Sequence, residues 1–403
     1  MKIDIPDSVK YIIAQLEDAG YEAWAVGGCV RDSLMGREPK DWDITTSALP
    51  EQTKGIFRRT IDTGIAHGTV TVMLDGIGYE TTTYRIDGKY SDSRHPDSIE
   101  FTRSLNEDLK RRDFTINAMA YSDTKGLVDL FGGASDLKNR IIRCVGDPSE
   151  RFAEDALRIL RAIRFSAQLG FEVDPHTMKA AARLRNKLKK ISAERIHSEL
   201  DKTLMSPHPD KFRLIHSSGI DGVILPELAD RIQKDPSLLK KLCDTLLSAP
   251  QNGHIRWAAL ISISGGSIDI LKRLKFDNNS LHIISELLRL EKTPLTGLSD
   301  AEMRHVMNNA GAAGMPLLFD YRQTMYPDTD LTASKEQYGA ILKRGECTCI
   351  KDLAVNGRDL LGVGVPSGAD VGNMLRLLLK AVLDDPSLNK KELLLEKAVQ
   401  IRG

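Results

Sequence analysis

The chain has 403 residues and equal numbers of basic and acidic side chains, 56 of each, so its formal net charge is zero. That length exceeds what one ordinary hydrophobic core organises, and it predicts two to four domains. With 41% hydrophobic residues and no long apolar run, the composition argues against a membrane protein. The five cysteines are scattered and odd in number, which favours reduced thiols and a cytoplasmic location over a disulfide-bonded secreted fold.

The first predicted elements are a helix and a short strand that lead to a pair of glycines. Apolar residues at helical spacing predict an amphipathic helix over residues 6–20, and Ala25-Val26 is typical of the end of a buried strand. Gly27 and Gly28 then allow a tight turn and a close approach of the backbone to a ligand. A short helix that carries Arg31 follows, and a helix start behind paired glycines suits a phosphate.

Two aspartates follow the next turn, in a segment that leads into the apolar start of a predicted strand. Alternate side chains of a strand share a face, so we expect Asp41 and Asp43 to point the same way. Paired carboxylates beside a phosphate-binding turn are hard oxygen ligands for Mg²⁺ and its triphosphate, which favours nucleotidyl transfer. An Asp-x-Asp pair by itself usually marks a solvated turn or a strand edge, so the prediction depends on the glycine pair that precedes it.

The two motifs GGCVRD and DWDITT resemble the head motif of the class II tRNA nucleotidyltransferases. These are the bacterial and eukaryotic CCA-adding enzymes, and the bacterial poly(A) polymerases are their relatives. The resemblance implies an enzyme that uses CTP and ATP, with Mg²⁺ held by Asp41 and Asp43. It also implies that Gly27, Gly28 and Arg31 contact the nucleotide, and that the partner is the 3′ end and acceptor stem of tRNA.

The next segments predict a small mixed sheet. Residues 50–57 are typical of a short helix, and residues 69–74 and 78–85 alternate in the manner of strands. We expect helices on one side of this sheet and the two aspartates at an exposed strand. Glu80 either adds a third carboxylate near the metal or is an exposed cross-strand residue, and the second alternative is favoured.

Residues 85–100 are polar, contain a glycine and follow neither the helix nor the strand period, so they predict a mobile loop. A surface excursion without a role is one interpretation. The family resemblance implies another, in which a flexible loop at this place helps to switch the pocket from CTP to ATP. The resemblance also implies that enzymes that add only CC have a shortened loop, so the full-length segment here favours complete CCA synthesis.

A further motif, RRDFTINAMA, occupies residues 111–120. Arg112 can neutralise triphosphate oxygens and Asp113 can accept a hydrogen bond from a ribose hydroxyl. Asn117 lies on the same face as Asp113 if the segment is helical. An isolated segment of this kind would also pass for a core helix that Asp113 caps. The motif resembles the second motif of the family, which implies the nucleotide-binding role for Arg112.

From about residue 148 the pattern becomes almost continuously helical, and Asp155, Arg158, Arg161 and Arg164 form a polar stripe on one predicted helix. A carboxylate can accept the exocyclic amine of cytosine or adenine while an arginine donates to the neighbouring ring acceptor; uracil and guanine present a carbonyl instead. The alternative is a surface ion pair of little energetic value. EDALRILRAIRF resembles the EDxxR motif of the family. This implies that Asp155 and Arg158 read the base edge, with Arg161 and Arg164 completing the nucleotide pocket.

The C-terminal half is predicted to be helical and carries no catalytic constellation. The basic run at residues 183–190 either tracks tRNA phosphates or is a solvated helix face. The stretch 353–379 resembles the tail segment with which short bacterial CCA-adding enzymes grip tRNA, and a plain helix–helix connection is the alternative. The predicted domains are a nucleotidyltransferase head at 1–145, a helical neck for base recognition at 146–206, a helical body at 207–292 and a helical tail for tRNA binding at 293–403.

Together these features predict an α+β protein, with a mixed-sheet head followed by an all-α neck, body and tail. The predicted activity is template-independent addition of C, C and A to the tRNA 3′ end from CTP and ATP, with release of pyrophosphate. The alternatives are an enzyme that adds only CC or only A, a bacterial poly(A) polymerase, or a tRNA-binding protein with an inactive head, against which the intact DWD argues. We expect a cytoplasmic monomer or homodimer without a membrane partner.

Overall fold

The computed structural model describes residues 2–88, 98–311 and 314–402. The chain forms two compact units, one of residues 1–243 with 273–275 and the other of residues 244–272 with 276–403. The finer division into head, neck, body and tail stays a prediction. Among the described residues, no helix is long and apolar enough to span a bilayer.

Eleven strands lie in the described residues, and seven of them build one sheet of order β3-β4-β5-β2-β1-β8-β9. In that sheet β2 and β5 run parallel and all other neighbours antiparallel, so the predicted mixed sheet is confirmed. The strands are β1 (Ala23–Val26), β2 (Ile44–Thr46), β3 (Thr60–Gly64), β4 (Thr69–Leu74), β5 (Ile77–Thr83), β6 (Arg85–Asp87), β7 (Ile99–Phe101), β8 (Met119–Ser122), β9 (Gly126–Asp129), β10 (Ile141–Ile142) and β11 (Glu172–Val173).

The sheet is covered on both faces. The first five helices are α1 (Asp7–Asp18), α2 (Gly28–Leu34), α3 (Pro50–Ile56), α4 (Leu105–Lys110) and α5 (Gly133–Asn139). Side chains of α1 and α2 pack with Ala23 and Ala25 on one face, whereas Trp24 and Val26 pack with Leu109 of α4 on the other. The prediction of helices on one side is therefore wrong, because β1 is apolar at every position and is buried on both faces.

The segment predicted as a mobile loop has ordered ends. β6 and β7 pair antiparallel, with Arg85 opposite Phe101 and Asp87 opposite Ile99. The polar composition concealed this ribbon because a two-stranded pair on the surface needs no apolar alternation. The middle of the predicted loop, residues 89–97, lies outside the described residues.

Seven helices follow up to residue 234: α6 (Pro148–Glu154), α7 (Leu157–Leu169), α8 (Pro175–Leu184), α9 (Ala193–Leu204), α10 (Arg213–Ser217), α11 (Asp221–Ile224) and α12 (Pro226–Lys234). In this group α7 packs on α9 and α6 packs on α8. One continuous helix was predicted from residue 148 through Arg164, and this is wrong. The helix breaks at Asp155, which has an extended backbone, and its carboxylate accepts the backbone N–H of Leu157 at the start of α7 (2.9 Å). A short polar side chain that caps a nearby N–H competes with continuation of the helix.

The remaining helices are α13 (Ser237–Ser248), α14 (Gly253–Ile263), α15 (Asp269–Arg273), α16 (Asn278–Leu290), α17 (Asp300–Ala310), α18 (Gly314–Met325), α19 (Thr332–Lys343), α20 (Gly357–Gly362), α21 (Ala369–Asp384) and α22 (Lys391–Arg402). Every regular element that the structure describes after β11 is helical. The predicted all-helical C-terminal half is thus confirmed.

Candidate active site

All ten residues predicted to act in catalysis or nucleotide binding line one cavity of about 600 Å³ in the first unit. They are Gly27, Gly28, Arg31, Asp41, Asp43, Arg112, Asp155, Arg158, Arg161 and Arg164. Six further residues complete the lining: Arg111, Asp113, Asn117, Leu157, Phe165 and Arg195. Seven arginines face four aspartates here, and this excess of positive charge suits a polyanionic ligand.

The glycine turn brings the backbone against an arginine. Gly27 has a positive φ of 82°, and a Cβ at this position would lie 3.2 Å from Nη1 of Arg112. Only glycine combines this backbone conformation with so close an approach. On α2, which begins at the next residue, Arg31 donates to both oxygens of Asp32 (2.9 Å each) and to Oδ1 of Asn117 (2.7 Å). The turn and the helix therefore hold Arg31 and Arg112 at the cavity wall.

The two aspartates lie at the start of a central strand. β2 begins at Ile44, is buried along its length and runs between β1 and β5. The expectation of an exposed strand is wrong, because β2 itself is buried and the two exposed aspartates, Asp41 and Asp43, precede it. The backbone N–H of Val26 donates to the carbonyl oxygen of Asp43 (2.9 Å) and extends the pairing with β1 by one residue. Both carboxylates open to the same cavity, in agreement with the predicted shared face.

Negative charge is concentrated around Asp43. Its carboxylate opens to the cavity but is shielded by protein on its other sides, and this loss of solvation raises its pKa to about 6. The charges of Asp41 and Glu80 act in the same direction, and Arg112 opposes them. Glu80 lies beside Asp43 because Ile44 pairs with Thr81 in the parallel register. A cation would relieve this repulsion, and carboxylate oxygens are the ligands that hard divalent ions prefer.

Asp41 and Asp43 are the two carboxylates of the predicted metal site, and both open to the cavity. Within residues 2–88, 98–311 and 314–402, no group of three or more His, Cys, Asp or Glu side chains is placed to hold a metal ion. Glu80 thus acts on Asp43 through its charge, and we leave it out of the ligand set.

A buried carboxylate holds the arginines of the RRD motif. Asp108 accepts hydrogen bonds from Nη2 of Arg112 (3.2 Å) and from Nε and Nη2 of Arg111 (2.9 and 2.7 Å). Burial would raise the pKa of Asp108, but these two guanidinium groups lower it below the ordinary value. Nε of Arg112 is buried and lacks a hydrogen-bond partner. Arg112 is thereby fixed in place at the wall of the cavity.

Asp113 orients a second arginine, Arg161, by hydrogen bonding. Its Oδ2 accepts Nε and Nη2 of Arg161 (2.8 and 2.5 Å), and its Oδ1 accepts Nδ2 of Asn117 (3.2 Å). Burial would raise the pKa of Asp113, but Arg161 and the other donors lower it to about 2. The segment from Thr115 to Asn117 is a 3₁₀ turn, so the predicted meeting of Asp113 and Asn117 occurs without an α-helix.

Asp155 and Arg158 are both held by neighbouring charges. Asp155 accepts the Leu157 N–H at Oδ1 and Nη2 of Arg195 at Oδ2 (2.8 Å). Arg158 donates through Nη1 to Glu154 (2.5 Å) and through Nη2 to the carbonyl oxygen of Arg111 (3.0 Å). The two side chains reach the cavity from the break between α6 and α7 and from the first turn of α7.

Three family models match successive parts of the chain. They are the poly(A) polymerase head domain at residues 23–143, the probable RNA and SrmB-binding site of polymerase A at residues 170–232, and the putative domain 2 of tRNA nucleotidyltransferases at residues 249–398. The three matched segments follow one another along the chain without overlap.

Relatives of known name match the chain over almost its whole length. A CCA-adding enzyme of Anoxybacillus flavithermus is 39% identical over 96% of this chain and 95% of its own. One of Limosilactobacillus fermentum is 38% identical over 97% and 96%. The crystal structure of the Bacillus stearothermophilus CCA-adding enzyme in complex with CTP superposes with a TM-score of 0.83 at 33% identity, covering 98% of this chain and 96% of that one. The chain belongs to the CCA-adding enzyme family. The family recognised from the motifs is confirmed, and with it a tRNA nucleotidyltransferase of a kind that generally uses a divalent metal.

In this member of the CCA-adding enzyme family, the sequence did not single out the aromatic ring at the centre of the arginine cluster. The guanidinium carbons of Arg31, Arg161 and Arg164 lie 5.3, 5.4 and 4.2 Å from the centroid of the Phe165 ring. Cations near an aromatic face are attracted by its quadrupole, so the ring offsets part of the repulsion among the three. The sequence pattern indicated only apolar packing for Phe165.

Arg195 is a second residue of the cavity that no local sequence pattern predicted. It lies on α9, forty residues after Asp155, and enters the cavity only because α9 packs on α7. Its Nη1 is buried and lacks a hydrogen-bond partner. No spacing rule relates the two residues, so only the tertiary structure identifies Arg195.

Proposed function

We propose that the chain adds C, C and A in turn to the 3′ end of tRNA, using CTP and ATP and releasing pyrophosphate. The observation that carries the proposal is the convergence of paired carboxylates, a glycine turn, seven arginines and the Asp155–Arg158 edge on one cavity. The name CCA-adding enzyme of its relatives and the CTP complex of the Bacillus stearothermophilus enzyme support these substrates.

The metal in this proposal is Mg²⁺, held by Asp41 and Asp43. Hard carboxylate oxygens fit this ion. The loss of solvation and the neighbouring carboxylate charges that raise the pKa of Asp43 indicate a place where positive charge is favourable. When bound, the ion supplies a Lewis acid that lowers the pKa of the attacking hydroxyl and stabilises charge on the leaving pyrophosphate.

The triphosphate is bound by the glycine turn and the adjacent arginines. Gly27 leaves room for a close backbone approach, and Arg112, which lines the cavity, offers its guanidinium group to a phosphate oxygen. Asp108 fixes Arg112 before the ligand arrives, so less conformational entropy is lost on binding. The chain acts by positioning and charge neutralisation, because phosphoryl transfer asks little covalent participation of the protein.

The base is selected by Asp155 and Arg158. Asp155 accepts the exocyclic amine of cytosine or adenine, while Arg158 donates to the adjacent ring acceptor. Their own anchors, Arg195 and Glu154, set the direction of each side chain. Uracil and guanine would instead present a carbonyl oxygen to the carboxylate of Asp155, so that two acceptors face each other. Each buried polar group left without a partner costs about 1–3 kcal/mol.

The proposed setting is the cytoplasm. No disulfide joins the cysteines in the part of the chain that the structure describes, which is in keeping with a reducing compartment. The cytoplasm also supplies tRNA, CTP and ATP together, as the proposed reaction requires.

The test is to incubate the purified chain with Mg²⁺, CTP, ATP and a tRNA that ends at its discriminator base, and then to sequence the 3′ ends. Addition of C, C and A followed by arrest is the expected result. Addition of CC alone, or of A only to tRNA that already ends in CC, would assign a divided activity. A long A tract would assign a poly(A) polymerase, and unchanged 3′ ends would contradict the proposal.

A further inference from the structure

One face of α9 carries two charged side chains that reach across to the base-reading elements. Arg195 and Glu199 are four residues apart and therefore lie on the same side of the helix. Arg195 donates to Asp155, and Glu199 accepts a hydrogen bond from Nη1 of Arg164 (3.2 Å). Two of the four residues of the predicted polar stripe are thus anchored by the same helix.

Both contacts are shielded from water. The side chains of Asp155 and Arg195 are 15% and 24% exposed, and those of Arg164 and Glu199 are 8% and 6% exposed. Ion pairs in such surroundings are screened less by salt and solvent than surface pairs. The contact between Arg195 and Asp155 is also short, at 2.8 Å, as charge-assisted hydrogen bonds are.

The carboxylate of Asp155 has one anchor for each oxygen. Oδ1 accepts the Leu157 N–H, and Oδ2 accepts Nη2 of Arg195. Each oxygen has further acceptor capacity, so both bonds can persist while the carboxylate receives a base amine. With the backbone bond alone, the carboxylate would be free to rotate away from the direction that the amine requires.

We infer that Arg195 is a positioning residue that sets the nucleotide preference of the site by fixing the carboxylate of Asp155. The inference rests on the proposed function, in which Asp155 reads the exocyclic amine. Arg195 acts through Asp155, so removing Arg195 reduces the difference between a base that has this amine and one that does not. Its effect on phosphate binding, if any, is common to both nucleotides.

The experiment is isothermal titration of the full chain with CTP and with UTP, and the quantity compared is the ratio of the two dissociation constants. The variants are Arg195→Met, which keeps the aliphatic length of the side chain but no donor, Asp155→Ala, and the two combined. Arg195→Met is expected to lower the preference for CTP about tenfold, which corresponds to one charge-assisted hydrogen bond. In the Asp155→Ala background it should produce no further change in the ratio.

A structural role for Arg195 would give a different pattern. If the ratio is unchanged in Arg195→Met, or falls equally with and without Asp155, the inference is overturned. Arg195→Lys retains the charge and a donor group, so it should restore part of the preference. Should Arg195→Met fail to fold, Arg195→Leu, which also has no donor, takes its place, and an unchanged ratio in that variant overturns the inference equally.

Two controls separate this inference from the proposal beneath it. Arg213→Ala removes a guanidinium that pairs with Asp210 (3.0 Å) outside the cavity, and it should leave the ratio unaltered. If the unmodified chain does not prefer CTP over UTP, or if Asp155→Ala keeps the full preference, then base reading by Asp155 fails and the inference fails with it. If Asp155→Ala loses the preference while the Arg195 variants keep it, only the inference about Arg195 fails.

Discussion

The two sides of the cavity differ in whether their charged side chains already have partners in the protein. On the head side, no described side chain hydrogen-bonds the carboxylates of Asp41 and Asp43, and loss of solvation together with the charge of Asp41 raises the pKa of Asp43. On the helical side, Asp155, Arg158 and Arg161 already have charged partners at 2.5–2.8 Å. The head side thus gains stability from a cation, whereas the base-reading side is organised before the nucleotide arrives.

This difference predicts that variants of the two head-side aspartates remove activity without loss of stability. Asp43→Asn should lower the rate of nucleotide addition by about 10³-fold or more, because the metal loses a charged ligand. Its melting temperature should be equal to or above that of the unmodified chain, since one repulsive charge is removed. Single-turnover addition to tRNA and thermal unfolding measure the two quantities.

Glu51→Gln on α3 serves as the control for that variant, because it removes an exposed carboxylate of the head outside the cavity. It should leave the rate of addition unchanged. A large loss of stability in Asp43→Asn would show that the aspartates have a structural role. That result would contradict the contrast between the unpaired carboxylates of the head side and the paired charges of the helical side.

Variants on the base-reading side should change nucleotide choice more than rate. Asp155→Ala should reduce the discrimination between CTP and UTP by about 10–100-fold, corresponding to about 1–3 kcal/mol, since the acceptor for the base amine is lost. The measurement is kcat/KM for each nucleotide with the same tRNA. Full discrimination in this variant would exclude the Asp155 template.

The glycine turn predicts a smaller, mainly structural effect. Gly27→Ala should lower the free energy of unfolding by about 1–3 kcal/mol, because its positive φ and the Arg112 guanidinium at 3.2 Å disfavour a Cβ. It should also raise KM for CTP as Arg112 is displaced. Chemical denaturation and steady-state kinetics test both effects.

A matched control is available in Gly55 of α3, where an added Cβ would meet no atom within 4 Å and φ is not positive. Gly55→Ala should be neutral or stabilise the chain by up to about 1 kcal/mol, since alanine favours a helix. Equal destabilisation by both substitutions would contradict the close approach at Gly27.

The aromatic ring of Phe165 predicts the smallest effect. Phe165→Leu keeps an apolar side chain but loses the face next to three guanidinium groups, so the arginine cluster should be destabilised by about 0.5–1 kcal/mol. We expect a rise of a few fold in KM for CTP and ATP. Phe165→Tyr retains the ring and should behave as the unmodified chain does; identical kinetics for leucine and phenylalanine would exclude this role.

The residues that could be predicted from the sequence are those that belong to short, recognisable motifs. Asp41 with Asp43, and Arg158 with Arg161, are recognisable because each set lies on one or two adjacent elements. Their convergence on one cavity accords with the motifs, although their roles stay predictions.

The residues that sequence could not identify depend on packing between elements. Asp108 reads as an ordinary acid of a polar helix, yet it is fully buried and holds two arginines. Arg195 enters the site only through the contact between α9 and α7. The break at Asp155 was missed because the helical period continues through it, while the side-chain cap that causes it leaves no periodic signal.

The most direct test of the account supplies all four nucleoside triphosphates at equal concentration with Mg²⁺ and a tRNA that lacks its CCA end, and sequences the products. It examines both sides of the cavity at once, since addition requires the head and selection requires the helical side. The expected products end in C, CC and finally CCA, with U and G at background. Products with frequent U or G, or extension by A alone, would contradict it.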